Sequence, residues 1–173
     1  MAIRDEILAA NETYAGRFAK GGLAMPPARR FAVVTCMDAR LDPAKFLGLD
    51  EGDAHVIRNA GGIVTDDALR SLVISHWLLG TQEAYVIGHS GCGMLTFTNE
   101  QLRRRLADEA GADAGEIDFQ PFPDVEQRVR ESVRRIRETD LLPDSFEATG
   151  FVYDVRAGRL SEVEAPVGAA QTS

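Results

Sequence analysis

Apolar and polar positions along the chain switch between two periods. Residues 4–19 carry Ile7, Leu8, Tyr14 and Phe18 at helical spacing and predict an amphipathic helix. GGLAMPP at 21–27 follows as a Gly/Pro linker. FAVVT at 31–35 and AHVIR at 54–58 are short β-branched runs of strand type. Thr65 then caps a helix with Asp66 and Asp67 in its first turn, where negative charge suits the helix dipole. Leu69, Leu72, Val73, Trp77 and Leu78 continue that helix, and Gly80 stops it. AYVIGH at 84–89 predicts a third strand and residues 99–110 a short helix. Residues 124–138 predict a longer helix with Val125, Val129, Val133 and Ile136 on one stripe. GADAGEIDFQPFP at 111–123 reads as a loop. FVYDV at 151–155 is a fourth strand, with GRLSEVE after it as a hairpin arm.

Short apolar strands separated by helices imply an α/β fold, a parallel sheet with helices on both faces. Ligands collect at the carboxyl ends of such strands. Cys36 is expected one residue past the first strand, His89 at the end of the third, and Cys92 in the turn that follows. The three converge on one sheet edge although they are far apart in the chain.

Composition narrows the class. The chain has 173 residues, 45% apolar and 27% charged, the proportions of a soluble domain with a real core. That length suits a single domain over 1–173, with an N-terminal arm and linker over 1–27 and the core over 28–173. No apolar run approaches the roughly 20 residues of a membrane span. The amphipathic N-terminus has no signal-peptide core, so a cytoplasmic protein without a membrane partner is expected. The net charge of −8 argues against a nucleic-acid partner, which needs clustered Lys and Arg. The stretch Arg128 to Arg137 is interleaved with Glu126, Glu131 and Glu138 and reads as a solvated, ion-paired helix face.

The cysteines carry the chemistry. One opens Cys36-Met37-Asp38-Ala39-Arg40, and the other lies in His89-Ser90-Gly91-Cys92-Gly93. A disulfide is not expected in a reducing compartment, and buried packing is the ordinary role of a free Cys. Here two thiolates and an imidazole match the S and N ligands that zinc takes tetrahedrally. The chain has no third Cys, and His55 and His76 lie elsewhere. A bound zinc would keep an open or carboxylate-filled fourth position, which is a catalytic arrangement. Gly91 and Gly93 let the backbone fold across the His89-x-x-Cys92 turn.

CMDAR and HSGCG, with RNAGG at 58–62 between them, resemble the β-class carbonic anhydrases. MPP before the first strand and HSGCGML after the third resemble the small bacterial branch best. The resemblance runs from about Phe31 to the end of the chain and is densest over 31–98. It implies a β-carbonic-anhydrase-like fold, a central four-stranded parallel sheet flanked by helices, with an N-terminal helical arm lying across a partner. The assembly would be a homodimer or dimer of dimers whose subunits share the pocket. The implied activity is that of a zinc lyase hydrating carbon dioxide to bicarbonate and a proton, with one Zn2+ per chain on Cys36, His89 and Cys92. Asp38 and Arg40 take the positions of the family's catalytic pair. There the aspartate accepts a hydrogen bond from the metal's water, or swings in as fourth ligand and shuts the site. Arg40 would hold Asp38 off the metal with a bidentate pair. Two thiolates cancel the ion's formal charge, so activity is expected to rise through alkaline pH.

Other residues keep two readings. Gly61 and Gly62 allow close backbone approach at the substrate pocket, or form a plain turn. Arg58 and Asn59 serve the site or simply end a strand. His55 is expected in the sheet and His76 in helix packing or an interface. Trp77 and Phe97 belong to core or interface, and Met94 and Leu95 to the pocket wall or the core. Gly62 stands where many larger members have Asn. Val33 stands where some carry the Trp of a bicarbonate-inhibition site, which is therefore not carried over. Rival readings are a carbonyl sulfide or carbon disulfide hydrolase on the same zinc, and a non-catalytic zinc-binding regulatory module, which has no use for Asp38 and Arg40. A cysteine phosphatase would need an arginine where Asp42 stands.

Overall fold

A strand covered on both sides reads as an unbroken apolar run, and Phe31 to Cys36 is buried at every position. The structure, a computed structural model describing residues 2–165, is built outward from this strand. Residues 1 and 166–173, the two ends of the expected domain, lie outside the described part. Along the chain come α1 (Ile3–Ala15), β1 (Phe31–Cys36), α2 (Pro43–Leu47), β2 (His55–Asn59) and α3 (Asp66–Leu79). They are followed by β3 (Glu83–His89), α4 (Asn99–Ala110), α5 (Val125–Arg137), β4 (Glu147–Asp154) and β5 (Arg159–Val163). The sheet order is β2-β1-β3-β4-β5. The first four strands pair in parallel, as expected, and β5 returns antiparallel to β4 as the hairpin arm. Among the described residues, no helix is long and apolar enough to cross a membrane.

Capping chemistry sets the helix bounds. Thr65 accepts from the Ala68 amide at the start of α3, and Gly80 closes it at φ 75°. Thr98 and Gln101 form a reciprocal capping box on α4, and Asp124 accepts from the Gln127 amide on α5. Helix α1 stops at Ala15 with Gly16 as its cap, short of the expected residue 19, so Phe18 lies beyond it. Helix α2 was not anticipated. Its five residues are too few to show a period, and it rests on the Asp42 cap and Pro43 in the first turn. Cys36 closes β1 instead of following it, because its pairing with Asn59 extends the ladder one residue.

Helices α3 and α5 lie on the same face of the sheet. Leu72 and Ala68 from α3 join Val129, Val133 and Ile136 from α5 in one core with Ala32, Val34, Ala84, Val86 and Ala148. The opposite face carries Phe31, Val33 and Ile87, with Phe46 and Leu47 of α2 packed against them. The expectation of helices on both faces is met there only by this short helix, among the described residues. Trp77, read as core or interface, is not in the core of this chain: it is 62% exposed, and Leu78 beside it is 75% exposed. The smaller Ala68, Leu72 and Ser75 face the sheet, turning the helix about its axis relative to its bulkiest residues. Strand β4 begins at Glu147, before the expected 151. Gly150 interrupts the apolar run there because α5 lies so close: a Cβ at Gly150 would come 2.6 Å from Val129 Cγ1.

Candidate metal centre

Neighbouring strands deliver the donors. Cys36 ends β1 and His89 ends β3, which pair side by side. Gly91, at φ 62°, turns the chain so that Cys92 comes back to them three residues later. The two Sγ atoms stand 4.0 Å apart, and the candidate ligand atoms of all three residues lie within 4.8 Å of one another. All three side chains are buried and both cysteines are free thiols.

His89 Nδ1 lies 3.1 Å from the Ser90 carbonyl, to which it donates. That leaves a lone pair on Nε2, which is buried and has no hydrogen-bond partner among the described residues. A buried acceptor without a partner is costly, and a cation between Nε2 and the two sulfurs removes that cost. The thiols tell the same story. The Cys92 hydrogen bond pulls the Cys36 thiol well below its ordinary value, against the opposing effect of burial. Contacts from His89 and from the backbone amides of Asp38 and Gly61 add to the lowering. The shared hydrogen bond, and then burial, push Cys92 up. Metal ligation needs both sulfurs as thiolates, so a dication bound there would displace their protons. A donor set of two S and one N fits zinc.

Asp38 and Arg40 form the bidentate pair. Arg40 Nε donates to Asp38 Oδ1 at 2.9 Å and Nη2 to Oδ2 at 2.6 Å, and the Arg40 amide donates to Oδ1 at 2.9 Å. Arg40 holds the carboxyl well below the usual carboxylate range, first through its side chain and then through its amide. Asp38 Oδ2 stands 3.8 Å from His89 Nε2, over the donor set. Arg40 Nη2 also donates to the Gly91 carbonyl at 2.9 Å, tying the CMDAR turn to the HSGCG turn.

RNAGG lies behind this edge. Arg58 Nε donates to the Cys36 carbonyl at 3.0 Å and Nη2 to the Asp38 carbonyl at 2.8 Å. The Met37 amide donates to the Asn59 carbonyl at 2.9 Å. The Asn59 side chain closes the turn on both backbone groups of Ile63, at 2.7 and 2.9 Å. Gly61 and Gly62, expected at the substrate pocket, back onto Cys36: both have positive φ, and a Cβ at Gly62 would lie 2.7 Å from the Cys36 nitrogen. Sequence reasoning left Arg58 and Asn59 between two readings. The signal that could have decided was register, since Asn59 pairs with Cys36.

Leu41, Ile63, Met94 and Phe122 pack around the cysteines, with Phe97 partly buried against them. Met94 therefore belongs to the core around the cysteines, while Leu95 is 37% exposed. Ser90 is anchored to the end of β4: its amide donates to the Tyr153 carbonyl at 2.9 Å, and its hydroxyl accepts from the Val155 amide at 3.1 Å. His55 and His76 are occupied elsewhere, His55 Nδ1 with Ser75 Oγ at 2.7 Å and His76 Nδ1 with the Thr81 carbonyl at 2.6 Å.

Comparison with known proteins agrees with this geometry. The family model described as carbonic anhydrase matches residues 31–160. Beta-carbonic anhydrase 1 of Mycobacterium tuberculosis is 48% identical over 163 residues, covering 94% of this chain and 99% of that protein. A carbon disulfide hydrolase of an Acidianus species is 35% identical, covering 86% of this chain and 83% of that one. The crystal structure of carbonic anhydrase from Streptococcus mutans superposes with a TM-score of 0.91 at 45% identity, covering 95% of this chain and 99% of the other.

Proposed function

The chain belongs to the β class of the carbonic anhydrase family, and from that membership we propose that it catalyses the reversible hydration of carbon dioxide to bicarbonate and a proton. The observation that carries this is the juxtaposition of a three-donor site with a carboxylate held beside it by its own arginine. Cys36 Sγ, His89 Nε2 and Cys92 Sγ would hold one zinc per chain. Zinc, when bound there, supplies the Lewis acidity that makes hydroxide available from water near neutral pH.

The remaining steps belong to the protein. Asp38, kept ionised by Arg40, can only accept a hydrogen bond. It therefore orients an attacking O–H with its other lone pairs free to meet the carbon. Arg40 keeps Oδ1 and Oδ2 engaged, so the carboxylate stays off the donor set. Should that grip fail, Asp38 Oδ2 is close enough to His89 Nε2, at 3.8 Å, to compete for the open position and shut the site. Leu41, Ile63, Met94 and Phe122 pack around the cysteines, and such apolar surroundings suit a linear, apolar substrate. Ser90, fixed to β4, orients the His89 ring through its carbonyl.

The arm over 1–27 and the core over 28–173 divide the domain. None of the residues of α1 is buried, and Ile3, Ile7 and Leu8 are 75%, 62% and 56% exposed. Tyr85, Phe151 and Leu160 are only partly buried on the sheet face opposite α5. Both surfaces support a homodimer, or a dimer of dimers, in which the arm of one subunit lies across its partner. Thiol ligands support a reducing, cytoplasmic setting.

The test is stopped-flow carbon dioxide hydration with zinc stoichiometry on the same sample and carbon disulfide and carbonyl sulfide run in parallel. Fast hydration with about one zinc per chain, as a three-ligand site requires, is expected, with loss of both in Cys92→Ser. Zinc with slow hydration and rapid loss of a sulfur substrate would move the assignment to the activity named for the Acidianus relative. Zinc with neither activity would favour a non-catalytic module.

A further inference from the structure

We propose that Arg58 is a positioning residue for this reaction, fixing where Asp38 stands by gripping the backbone on both sides of Met37. Arg58 lies on β2, an edge strand, and its side chain crosses to the end of β1. Nε and Nη2 reach the carbonyls of Cys36 and Asp38, residues two apart in the chain. A planar fork bonded to two carbonyls fixes their relative orientation, and with it the peptide planes between them. The Asn59 carbonyl holds the Met37 amide from the same strand end, so three bonds from two adjacent residues clasp Cys-Met-Asp.

Asp38 is thus held at both ends. Arg40 grips its carboxylate, and Arg58 grips the backbone from which that side chain projects. Arg58 is exposed, so burial does not dictate where its guanidinium goes. Of its neighbours, the bonded ones are the carbonyl of a metal donor and that of the carboxylate beside it. A lysine there has one ammonium and cannot span both carbonyls in a fixed plane.

The inference rests on the carbonic anhydrase reading, and the experiment separates the two. Arg58→Ala, Arg58→Lys, Asp38→Ala and the Arg58→Ala/Asp38→Ala double variant are prepared with zinc and, in parallel, with cobalt(II). Arg58→Ala is expected to keep its zinc and melt within a few degrees of the unaltered protein. Its kcat per bound zinc should fall by about tenfold, the usual effect of losing a residue that orients a site, and Arg58→Lys should regain only part. The cobalt absorption bands should shift as Asp38 moves relative to the metal. On the Asp38→Ala background the same substitution should change both readings by less than about twofold, because the group it positions is gone. Unchanged kcat per bound zinc in Arg58→Ala, or full and additive effects in the double variant, would overturn the assignment. An unaltered protein that fails to hydrate carbon dioxide would overturn the proposed function, and the cobalt spectra would still decide the role of Arg58.

Discussion

Gly62 has φ +65°, and a Cβ there would lie 2.7 Å from the Cys36 nitrogen and 2.8 Å from the Thr35 carbonyl carbon. Backbone cannot swing aside as a side-chain tip can, so an alanine must push β1 where it presents its donor. The left-handed conformation adds about 1–2 kcal/mol for a residue with a Cβ. Gly62→Ala is therefore expected to weaken zinc binding by about tenfold, in the range seen when a ligand's support is lost. Competition with a chromogenic chelator measures this. Equal zinc release from variant and unaltered protein would show that the close approach is not needed to hold Cys36. His89 makes the complementary point: its ring is fully buried with Nε2 unpartnered among the described residues, so its placement makes sense only with something bound to it.

Elements position these residues through close packing. A Cβ at Gly150 would come 2.6 Å from Val129 Cγ1 and 3.3 Å from Val133 Cγ2. Gly150→Val is expected to push α5 off β3 and β4 and to cost about 1–3 kcal/mol, as overpacked cores do. The urea midpoint should fall while kcat per bound zinc changes little, since α5 does not carry a donor. An unchanged midpoint would mean that the helix accommodates the extra bulk.

Helix α1 is tied down differently, by charge. Lys20 pairs with Glu51, and Tyr14 Oη donates to the same carboxylate at 3.2 Å. These hold Glu51 down at about 2, the Lys20 side chain being the largest cause. Because the folded value is depressed, the contribution of this tether is complete above the ordinary Glu value of about 4.3. It is lost as pH falls through about 2. A carboxyl titration by NMR should place Glu51 near 2 and move it toward its ordinary value in Lys20→Met. A normal Glu51 titration in the unaltered protein would dissolve the tether.

At the scale of the whole molecule, one sheet face is covered by α3 and α5 and the other by five residues of α2, among the described residues. The amphipathic arm exposes Ile3, Ile7 and Leu8, and the second sheet face is incompletely covered. Light scattering is expected to give at least twice the chain mass of 18.8 kDa. Removal of residues 1–27 should shift the population toward single chains. An unaltered protein that runs as a single chain would overturn the arm-exchanged dimer.

Local patterns were enough for much of this. The β-branched runs marked β1, β2 and β3 within a residue at each end, and Thr65 and Gly80 bounded α3 because caps act through bonds to neighbours in the chain. The donors Cys36, His89 and Cys92 and the Asp38–Arg40 pair were legible because their chemistry lies in residue type and short spacing. What the sequence left open depended on who meets whom across the fold. The turn of α3 that exposes Trp77, the placement of both long helices on one face and the early start of β4 follow from packing between distant segments. So does the grip of Arg58 on Cys36 and Asp38: nothing in RNAGG says which backbone it will face until the register of β2 against β1 brings Asn59 beside Cys36.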